Sequence, residues 1–233
     1  VGAIELNPAD DSLSLPNSST TVPFSSDLAN ILERCQPDVM IDFTTALATM
    51  SIARTATPRG VNLVIGTTGL TTKDINEIDH LATTNKVGAI IAPNFALGAI
   101  LLIHLAKIAA KYFDHAEIIE LHHHLKADAP SGTAIATAKA MAAARSKPFS
   151  RPPQLKTQSD SRGQQVEGIT VHSVRLPGIV ARQEILLGEV GQTLSLKHDA
   201  ISRECYMPGV ILATKEVIKL KGLVYGLDSL LEL

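Results

Sequence analysis

Cysteine and net charge are both scarce in this chain of 233 residues. Its two cysteines, Cys35 and Cys205, lie far apart in the sequence, which disfavours a disulfide framework and fits a reducing compartment. A formal net charge of −2 provides no bulk attraction to nucleic acid or to a membrane surface. No apolar run reaches the length of a membrane span, and we expect no secretory signal. These absences favour a globular protein of the cytoplasm.

The Gly-x-Gly-x-x-Gly pattern of dinucleotide-binding loops is also absent. The chain opens on residues 1–5, which we interpret as a short buried strand that ends in a carboxylate. Because neither a methionine nor a turn precedes this strand, we expect a further segment before Val1. In a doubly wound nucleotide-binding sheet, the acidic residue that ends the second strand binds the adenosine ribose, which predicts that role for Glu5. An exposed glutamate at a strand end is the alternative interpretation.

Strands and helices alternate in the first half of the chain. The polar residues 7–25 have little periodicity and predict a loop or a partly ordered segment. Apolar runs then predict buried strands at residues 39–43, 62–65 and 88–92, and helical spacing predicts helices at 26–36, 46–57 and 72–84. Three strands that alternate with helices predict a parallel sheet with right-handed crossovers.

Small residues follow two of these strands. Ligands of open parallel sheets lie at the carboxyl ends of the strands, so both loops are expected to face one crevice and to let a flat ring or a ribose approach the backbone. Turn glycines without a ligand are the alternative, and these residues alone do not define a complete dinucleotide site. The candidate residues are Gly66, Thr67 and Thr68 after the second strand and Ala92, Pro93, Asn94 and Phe95 after the third.

The densest group of reactive side chains lies in residues 120–133, after an apolar run typical of a strand. His122 can hold and release a proton near neutral pH, and Lys126 adds a fixed positive charge. Ser131 is a candidate N-cap of the alanine-rich helix that follows, so Gly132 and Thr133 would present free backbone N–H groups at its positive end. The segment predicts a pocket for a small carboxylate or phosphate whose chemistry needs a proton transfer.

Two other interpretations of the three consecutive histidines are a solvated strand end and a metal site. In an extended segment, His122 and His124 share one face and His123 takes the other, so the three rings cannot serve one purpose. Neither cysteine has a partner at a spacing typical of zinc ligands, which disfavours a metal. We therefore expect no metal at this site.

The second half of the chain predicts a different architecture. Residues 97–113 predict an apolar helix with Leu101, Leu105 and Ile108 facing the core, and residues 133–144 predict a second helix. A mobile polar excursion is expected at 146–165, followed by strands of an antiparallel or mixed sheet at 168–175, 182–187 and 193–198. A helix at 203–220 and an apolar tail at 223–233 close the chain. The fold class is therefore α/β, with two domains and a site between them.

Residues 120–133 resemble the signature of the dihydrodipicolinate reductases, the nicotinamide-dependent enzymes of the diaminopimelate route to lysine. Residues 41–44, 64–69 and 92–95 match that family in the same order and at similar separations. The resemblance covers nearly the whole chain, except that family members begin with a strand and a glycine-rich phosphate loop. It implies a Rossmann-like cofactor domain at 1–95 and 207–233, and a mixed-sheet substrate and oligomerisation domain at 96–206 that builds a homotetramer.

The resemblance also implies a role for each candidate residue. His122 would donate the proton as hydride reaches the cyclic imine, and Lys126 would be its catalytic partner. The dicarboxylate substrate would be held by His123, Gly132 and Thr133. NADH or NADPH would contact Glu5 through the ribose, and its nicotinamide side would be lined by Gly66, Thr67, Thr68, Ala92, Pro93, Asn94 and Phe95.

Two further functions stay open at this point. The first is a catalytically impaired family member that acts as a binding or regulatory module, because a phosphate loop is missing from these residues. The second is metal-dependent hydrolysis at the histidines. Glu5 would repel a 2′-phosphate, but the region that normally settles cofactor choice is the polar segment 7–25, so we expect use of both NADH and NADPH.

Overall fold

The computed structural model describes residues 1–150, 160–231 and 233. Within these residues the chain forms two compact units, one made of Val1–Phe95 with Gly209–Leu233 and the other of Ala96–Pro208. No helix in the described ranges is long and apolar enough to cross a lipid bilayer. The predicted excursion at 146–165 lies partly outside the described residues.

The elements follow the order of the chain. They are β1 (Ala3–Ile4), β2 (Ser12–Ser14), β3 (Thr21–Ser25), α1 (Leu28–Cys35), β4 (Val39–Asp42), α2 (Ala46–Ala56), β5 (Asn62–Ile65), α3 (Thr72–Asn85), β6 (Gly88–Ile91), α4 (Leu97–Ala109), β7 (His115–His122), α5 (Gly132–Ala143), β8 (Gln164–Val166), β9 (Ile169–Arg175), β10 (Ala181–Glu189), β11 (Gln192–Ala200), α6 (Met207–Val217) and β12 (Gly222–Tyr225).

A parallel sheet in the order β12-β6-β5-β4 forms the centre of the first unit. The predicted alternation of three parallel strands with helices is confirmed, and β12 adds a fourth strand where the sequence predicts only an apolar tail. Side-chain caps begin the first three helices, because Asp27, Thr45 and Thr71 each accept a hydrogen bond from a backbone N–H of the first turn. The sheet and these helices bury a core that includes Leu63, Ile65 and other apolar residues.

The loop prediction for residues 7–25 is wrong. Strands β2 and β3 form an antiparallel hairpin, and the backbone N–H of Leu15 donates to the carbonyl of Thr20 at 3.0 Å. Val22 is buried, but the serines and threonines around it hide the two-residue period of the strand. Strand β1 pairs with β3 in this small separate sheet, so residues 1–5 do not form the predicted buried strand of the parallel sheet.

Strand β4 is not buried in the predicted way. It forms an edge of the parallel sheet, where Ile41 is 44% exposed and Phe43 after it is 52% exposed. Asp42 is the residue that points inward, with 1% of its surface exposed. The apolar run indicates a strand correctly, but an edge strand needs only one covered face.

The second unit is a mixed sheet in the order β11-β10-β7-β9-β8, in which β7 and β9 are parallel and the other neighbours antiparallel. Helices α4 and α5 pack against its core, where Ile118, Ile169 and Ile185 are completely buried. Burial of each such side chain contributes about 1.5–3 kcal/mol to stability. The predicted antiparallel or mixed sheet is confirmed.

The predicted inward face of α4 is wrong. Leu101, Leu105 and Ile108 are each between 43% and 49% exposed, whereas Leu102 and Ala106 are buried. The helix is apolar on nearly every side, so periodicity does not select a face. The small residue Ala106 lets the helix lie close to the core, and this packing decides the orientation.

Candidate active site

Strand β7 places a carboxylate and an imidazole on one face of the mixed sheet. Because side chains alternate along a strand, Ile118, Glu120 and His122 point to the same side. Glu120 is completely buried, and its Oε2 atom lies 2.5 Å from Nδ1 of His122. The His122 side chain is 16% exposed. The carboxylate therefore holds one nitrogen of the ring, and part of the ring stays accessible.

An arginine from the neighbouring strand holds the same carboxylate. Strand β9 runs parallel to β7 with Arg175 opposite His122. The Nη1 and Nη2 atoms of Arg175 donate to the Oε2 and Oε1 atoms of Glu120 at 3.0 and 2.9 Å. The backbone N–H of Ser131 donates to Oε1 at 3.2 Å. This bidentate contact, together with the backbone N–H of Ser131, compensates for the burial of the Glu120 charge.

Glu120 is ionised at neutral pH despite its burial. Burial by itself raises the pKa of the carboxyl group, because water no longer solvates the charged form. Hydrogen bonds from His122, Arg175 and Ser173 outweigh burial and lower the pKa from 4.5 to about 2. The site therefore contains a carboxylate, which accepts hydrogen bonds and donates none.

Only the first of the three consecutive histidines, His122, lies in strand β7. Strand β7 ends at His122, and the chain turns so that the backbone N–H of Lys126 donates to the carbonyl of His123 at 3.1 Å. His123 and His124 are exposed in this turn. The prediction that His122 and His124 share one face of an extended segment is wrong, because the turn sets their directions. No cluster of three or more metal-binding side chains occurs among the described residues.

Lys126 is paired within its own loop. Its Nζ atom lies 2.6 Å from Oδ1 of Asp128, and its side chain is 23% exposed. The hydrogen bond from Lys126 lowers the pKa of Asp128, with a smaller contribution from the backbone N–H of Gly132. The positive groups predicted to bind a small anion therefore face an internal carboxylate in this structure.

Helix α5 begins as the sequence predicts. Ser131 is buried, and its hydroxyl accepts a hydrogen bond from the backbone N–H of Ala134 at 3.1 Å, so its role as N-cap is confirmed. Gly132 is the first helical residue and is exposed. The positive end of the helix dipole therefore reaches the surface of this unit next to the loop that carries Lys126.

A buried carboxylate also orders the carboxyl edge of the parallel sheet in the first unit. Asp42 accepts hydrogen bonds from the backbone N–H and hydroxyl of Thr44 at 2.9 and 2.6 Å, and from the hydroxyl of Thr49 at 2.5 Å. The hydroxyl of Thr67 lies 3.4 Å from the same carboxylate. Asp42 thus joins the loop after β4 to the loop after β5.

A groove of about 100 Å³ lies at this edge of the sheet. Three of the predicted cofactor-side residues, Thr67, Thr68 and Pro93, line it together with Tyr225 of β12. The other lining residues are Gly69, Leu70, Ile75 and Ile91. Gly66 packs against the ring of Phe43, which would collide with any Cβ atom at this position. The space beside Gly66 is therefore occupied by Phe43, and the groove lies along Thr67, Thr68 and Gly69.

Glu5 lies elsewhere in the first unit. It follows β1 in the separate small sheet and is exposed, and its Oε1 atom accepts a hydrogen bond from the backbone N–H of Leu6 at 2.8 Å. The sheet topology therefore brings together the loops after β5 and β6, where Ala92 donates to the carbonyl of Ile65 at 2.9 Å, but does not place Glu5 on that sheet.

Four residues of these sites have no predicted role. Glu120 could have been found from its two-residue spacing to His122, and Asp42 from its place at a strand end. The sequence near Arg175 and Tyr225 does not indicate a site, because only strand pairing brings Arg175 to Glu120 and Tyr225 to the groove.

A Rossmann-like parallel sheet together with a mixed-sheet unit, in which a buried carboxylate holds a histidine, is typical of two-domain oxidoreductases. Comparison with known proteins indicates one enzyme family. Family models described as dihydrodipicolinate reductase, N-terminus and C-terminus, match residues 3–95 and 98–231. The 4-hydroxy-tetrahydrodipicolinate reductase of Dehalococcoides mccartyi is 53% identical over 233 residues, which are 100% of this chain and 88% of that protein.

Two further relatives agree. The 4-hydroxy-tetrahydrodipicolinate reductase of Moorella thermoacetica is 50% identical over 211 residues, which are 91% of this chain and 79% of the relative. The structure of a dipicolinate-bound dihydrodipicolinate reductase from Paenisporosarcina sp. TG-14 is 40% identical with a TM-score of 0.84, over 98% of this chain and 88% of that one. This chain belongs to the dihydrodipicolinate reductase family, whose N-terminal domain binds NAD(P).

Proposed function

We propose that the chain catalyses the reduction of 4-hydroxy-tetrahydrodipicolinate, with NADH or NADPH as the hydride donor, on the route to diaminopimelate and lysine. The observation that carries this proposal is the contact between His122, at the end of β7, and the buried carboxylate of Glu120. It occurs in a chain whose two units both match the reductase family. Such an arrangement suits proton donation to a small ring.

His122 is the proton donor in this proposal. When bound, the nicotinamide cofactor supplies a hydride to one atom of the ring double bond. The imidazolium of His122 gives a proton to the other atom, becomes neutral imidazole, and regains its proton from water. The 4-hydroxyl group of the substrate leaves as water before this step, and its loss creates the double bond that is reduced. Lys126 holds the substrate and supports proton delivery, because its ammonium is charged and lies in the loop directly after His122.

The dicarboxylate is held by the turn and by the start of α5. His123, Gly132 and Thr133 provide a side chain and backbone donors at the positive end of that helix. The relative from Paenisporosarcina was solved with dipicolinate, a ring with two carboxylates, which supports a site of this chemistry here. Lys126 would exchange its contact with Asp128 for one with the substrate carboxylate.

The cofactor belongs to the first unit in this proposal. Its nicotinamide side is bound by the loops after β5 and β6, and its ribose by Glu5. The groove at the carboxyl edge of the sheet supports the first part of this assignment. The contributing residues are Gly66, Thr67, Thr68, Ala92, Pro93, Asn94 and Phe95. We expect both NADH and NADPH to serve.

The functional test is the oxidation of NADH and of NADPH by the purified chain, followed by absorbance, with the freshly prepared cyclic imine as substrate. His122→Ala should lower kcat by about 10²-fold to 10⁴-fold with little change in KM, because the proton is needed in the transition state. His124→Ala, in the same turn and exposed, is the matched control. Wild-type protein that binds a cofactor but does not oxidise it with this substrate would favour a binding or regulatory module instead.

We also propose a homotetramer in the cytoplasm. The face of the mixed sheet opposite the buried Ile118 and Ile185 carries partly exposed apolar residues that would be covered by sheet-to-sheet assembly; they are Ile119, Leu121, Val174 and Leu186. Both cysteines are free, which fits a reducing compartment. Light scattering should give the mass of four chains, and the mass of one chain would contradict the assembly.

A further inference from the structure

Glu120 has no part in the reaction as proposed above, although it is the most completely buried charged side chain near His122. We infer that Glu120, held in place by Arg175, is a positioning residue that fixes the Nδ1–H tautomer and the orientation of the His122 ring. This inference rests on the proposed function, in which His122 donates the proton.

The tautomer follows from the donors around the carboxylate. Oε1 of Glu120 faces an Arg175 N–H at 2.9 Å and the Ser131 backbone N–H at 3.2 Å, and Oε2 faces a second Arg175 N–H at 3.0 Å. Every one of these neighbours is a donor, so the carboxylate is kept in its ionised, accepting form. The Nδ1 atom of His122, at 2.5 Å from Oε2, must therefore carry a hydrogen.

Proton exchange is then confined to the other ring nitrogen. With Nδ1–H committed to Glu120, the Nε2 atom is the one that gives its proton to the substrate and regains it from water. The hydrogen bond to the carboxylate also fixes the plane of the ring. Both effects act on the reacting proton, so they bear on kcat more than on substrate binding.

Arg175 also links this carboxylate to the loop that carries Lys126 and Asp128. Besides its two bonds to Glu120, its Nη2 atom donates to the carbonyl of Asp128 at 2.5 Å and its Nε atom to the carbonyl of Lys126 at 3.3 Å. The guanidinium of Arg175 therefore compensates for the buried charge of Glu120 and also binds the loop that carries Lys126. His122 and Lys126 are positioned through the same side chain.

The chain contains its own control for this arrangement. Glu117, on the opposite face of β7, also binds a histidine and an arginine, with Oε2 at 2.8 Å from Nε2 of His172 and Oε1 at 3.2 Å from Nη2 of Arg162. Its side chain is 37% exposed, whereas that of Glu120 is completely buried. Glu117→Gln removes the same type of group from the same strand without touching His122. Because Glu117 lies on the face that the proposed homotetramer would cover, the control requires light scattering to show the same mass for Glu117→Gln and wild type.

The direct test is ¹⁵N NMR of the histidine side chains in the protein without cofactor or substrate, at a pH where His122 is neutral. The His122 signal, assigned by its loss in His122→Asn, should show the proton on Nδ1 in wild type and in Glu117→Gln. In Glu120→Gln it should shift toward the Nε2–H form. A wild-type His122 that carries its proton on Nε2 would overturn the inference, even if Glu120→Gln did not fold.

The kinetic test separates positioning from support of the fold. Glu120→Gln should lower kcat by about 10²-fold and change KM by less than about threefold, while Glu117→Gln should keep the wild-type kcat. A kcat of Glu120→Gln within about threefold of wild type would refute the role. If wild type itself reduces no cyclic imine, the proposed function fails, and the tautomer spectrum still decides whether Glu120 fixes His122.

Discussion

Glu120→Gln should remove part of the acid sensitivity of this protein. The carboxylate of Glu120 has a pKa of about 2 in the folded chain, against 4.5 for an ordinary glutamate. A pKa that is lower in the folded state means that the ionised form stabilises the fold. This stabilisation is fully present above about pH 4.5 and is lost as the pH falls toward 2, because the folded protein must then take up the proton.

The magnitude follows from the two pKa values of Glu120. Each tenfold change in a proton dissociation constant is worth about 1.4 kcal/mol, so the difference corresponds to about 3 kcal/mol in the free energy of unfolding at neutral pH. Complete burial of Glu120 argues against strong screening of this value by solvent. Glutamine is neutral at every pH, so the variant should lack this part of the pH dependence.

Urea unfolding followed by circular dichroism, at a series of pH values between 6 and 2, measures the effect. The difference in the free energy of unfolding between wild type and Glu120→Gln should shrink by about 3 kcal/mol over this range, whereas Glu117→Gln should follow wild type closely because its carboxylate is partly exposed. A constant difference between wild type and Glu120→Gln would refute the reasoning, since it would mean that Glu120 titrates alike in the folded and unfolded chain.

Three further substitutions test other parts of the structure. Asp128→Asn should strengthen dipicolinate binding by about twofold to fivefold in calorimetric titration, because Lys126 then lacks its internal carboxylate partner; an unchanged Kd would contradict this. Asp42→Asn should cost about 1–3 kcal/mol in urea unfolding, because one of the two acceptor oxygens becomes an NH2 group that cannot accept from a threonine hydroxyl, and full stability would contradict the network. Ile185→Ala should cost about 2–5 kcal/mol, whereas the 89% exposed Ile201→Ala should change stability by less than about 0.5 kcal/mol; equal effects would contradict the burial.

Local signals were sufficient for three strands of the parallel sheet, β4, β5 and β6, but not for β12. The apolar runs of β5 and β6 are short, are followed by small residues, and alternate with helices whose caps Thr45 and Thr71 are visible in the sequence. Each element therefore has its own boundary signals, and their order predicts the topology. The hairpin of β2 and β3 has no such signals. Its side chains are mostly polar and show no clear alternation of apolar and polar residues, so only the pairing of the two strands reveals it.

Helix α4 shows a different limit of sequence patterns. Its residues are apolar on all sides, so the sequence predicts a helix but not which face is buried. The structure turns Leu102 and Ala106 inward and leaves Leu101 and Leu105 about half exposed. Shape decides this orientation, because alanine permits a closer approach of the helix than leucine does, and shape complementarity is not encoded in a periodic pattern.

The same limit applies to the chemistry of β7. Its sequence contains two glutamates, each of which meets a histidine and an arginine, and no local pattern distinguishes them. The distinction comes from the fold, since β9 and the start of α5 enclose Glu120 with Arg175 and the Ser131 N–H, whereas Glu117 faces solvent. A carboxylate in water has little influence on its partner, and a buried one holds the donor hydrogen of its partner more strongly. The motif thus locates the histidine, but Arg175, which lies 55 positions along the chain from Glu120, takes part in deciding which nitrogen carries its proton.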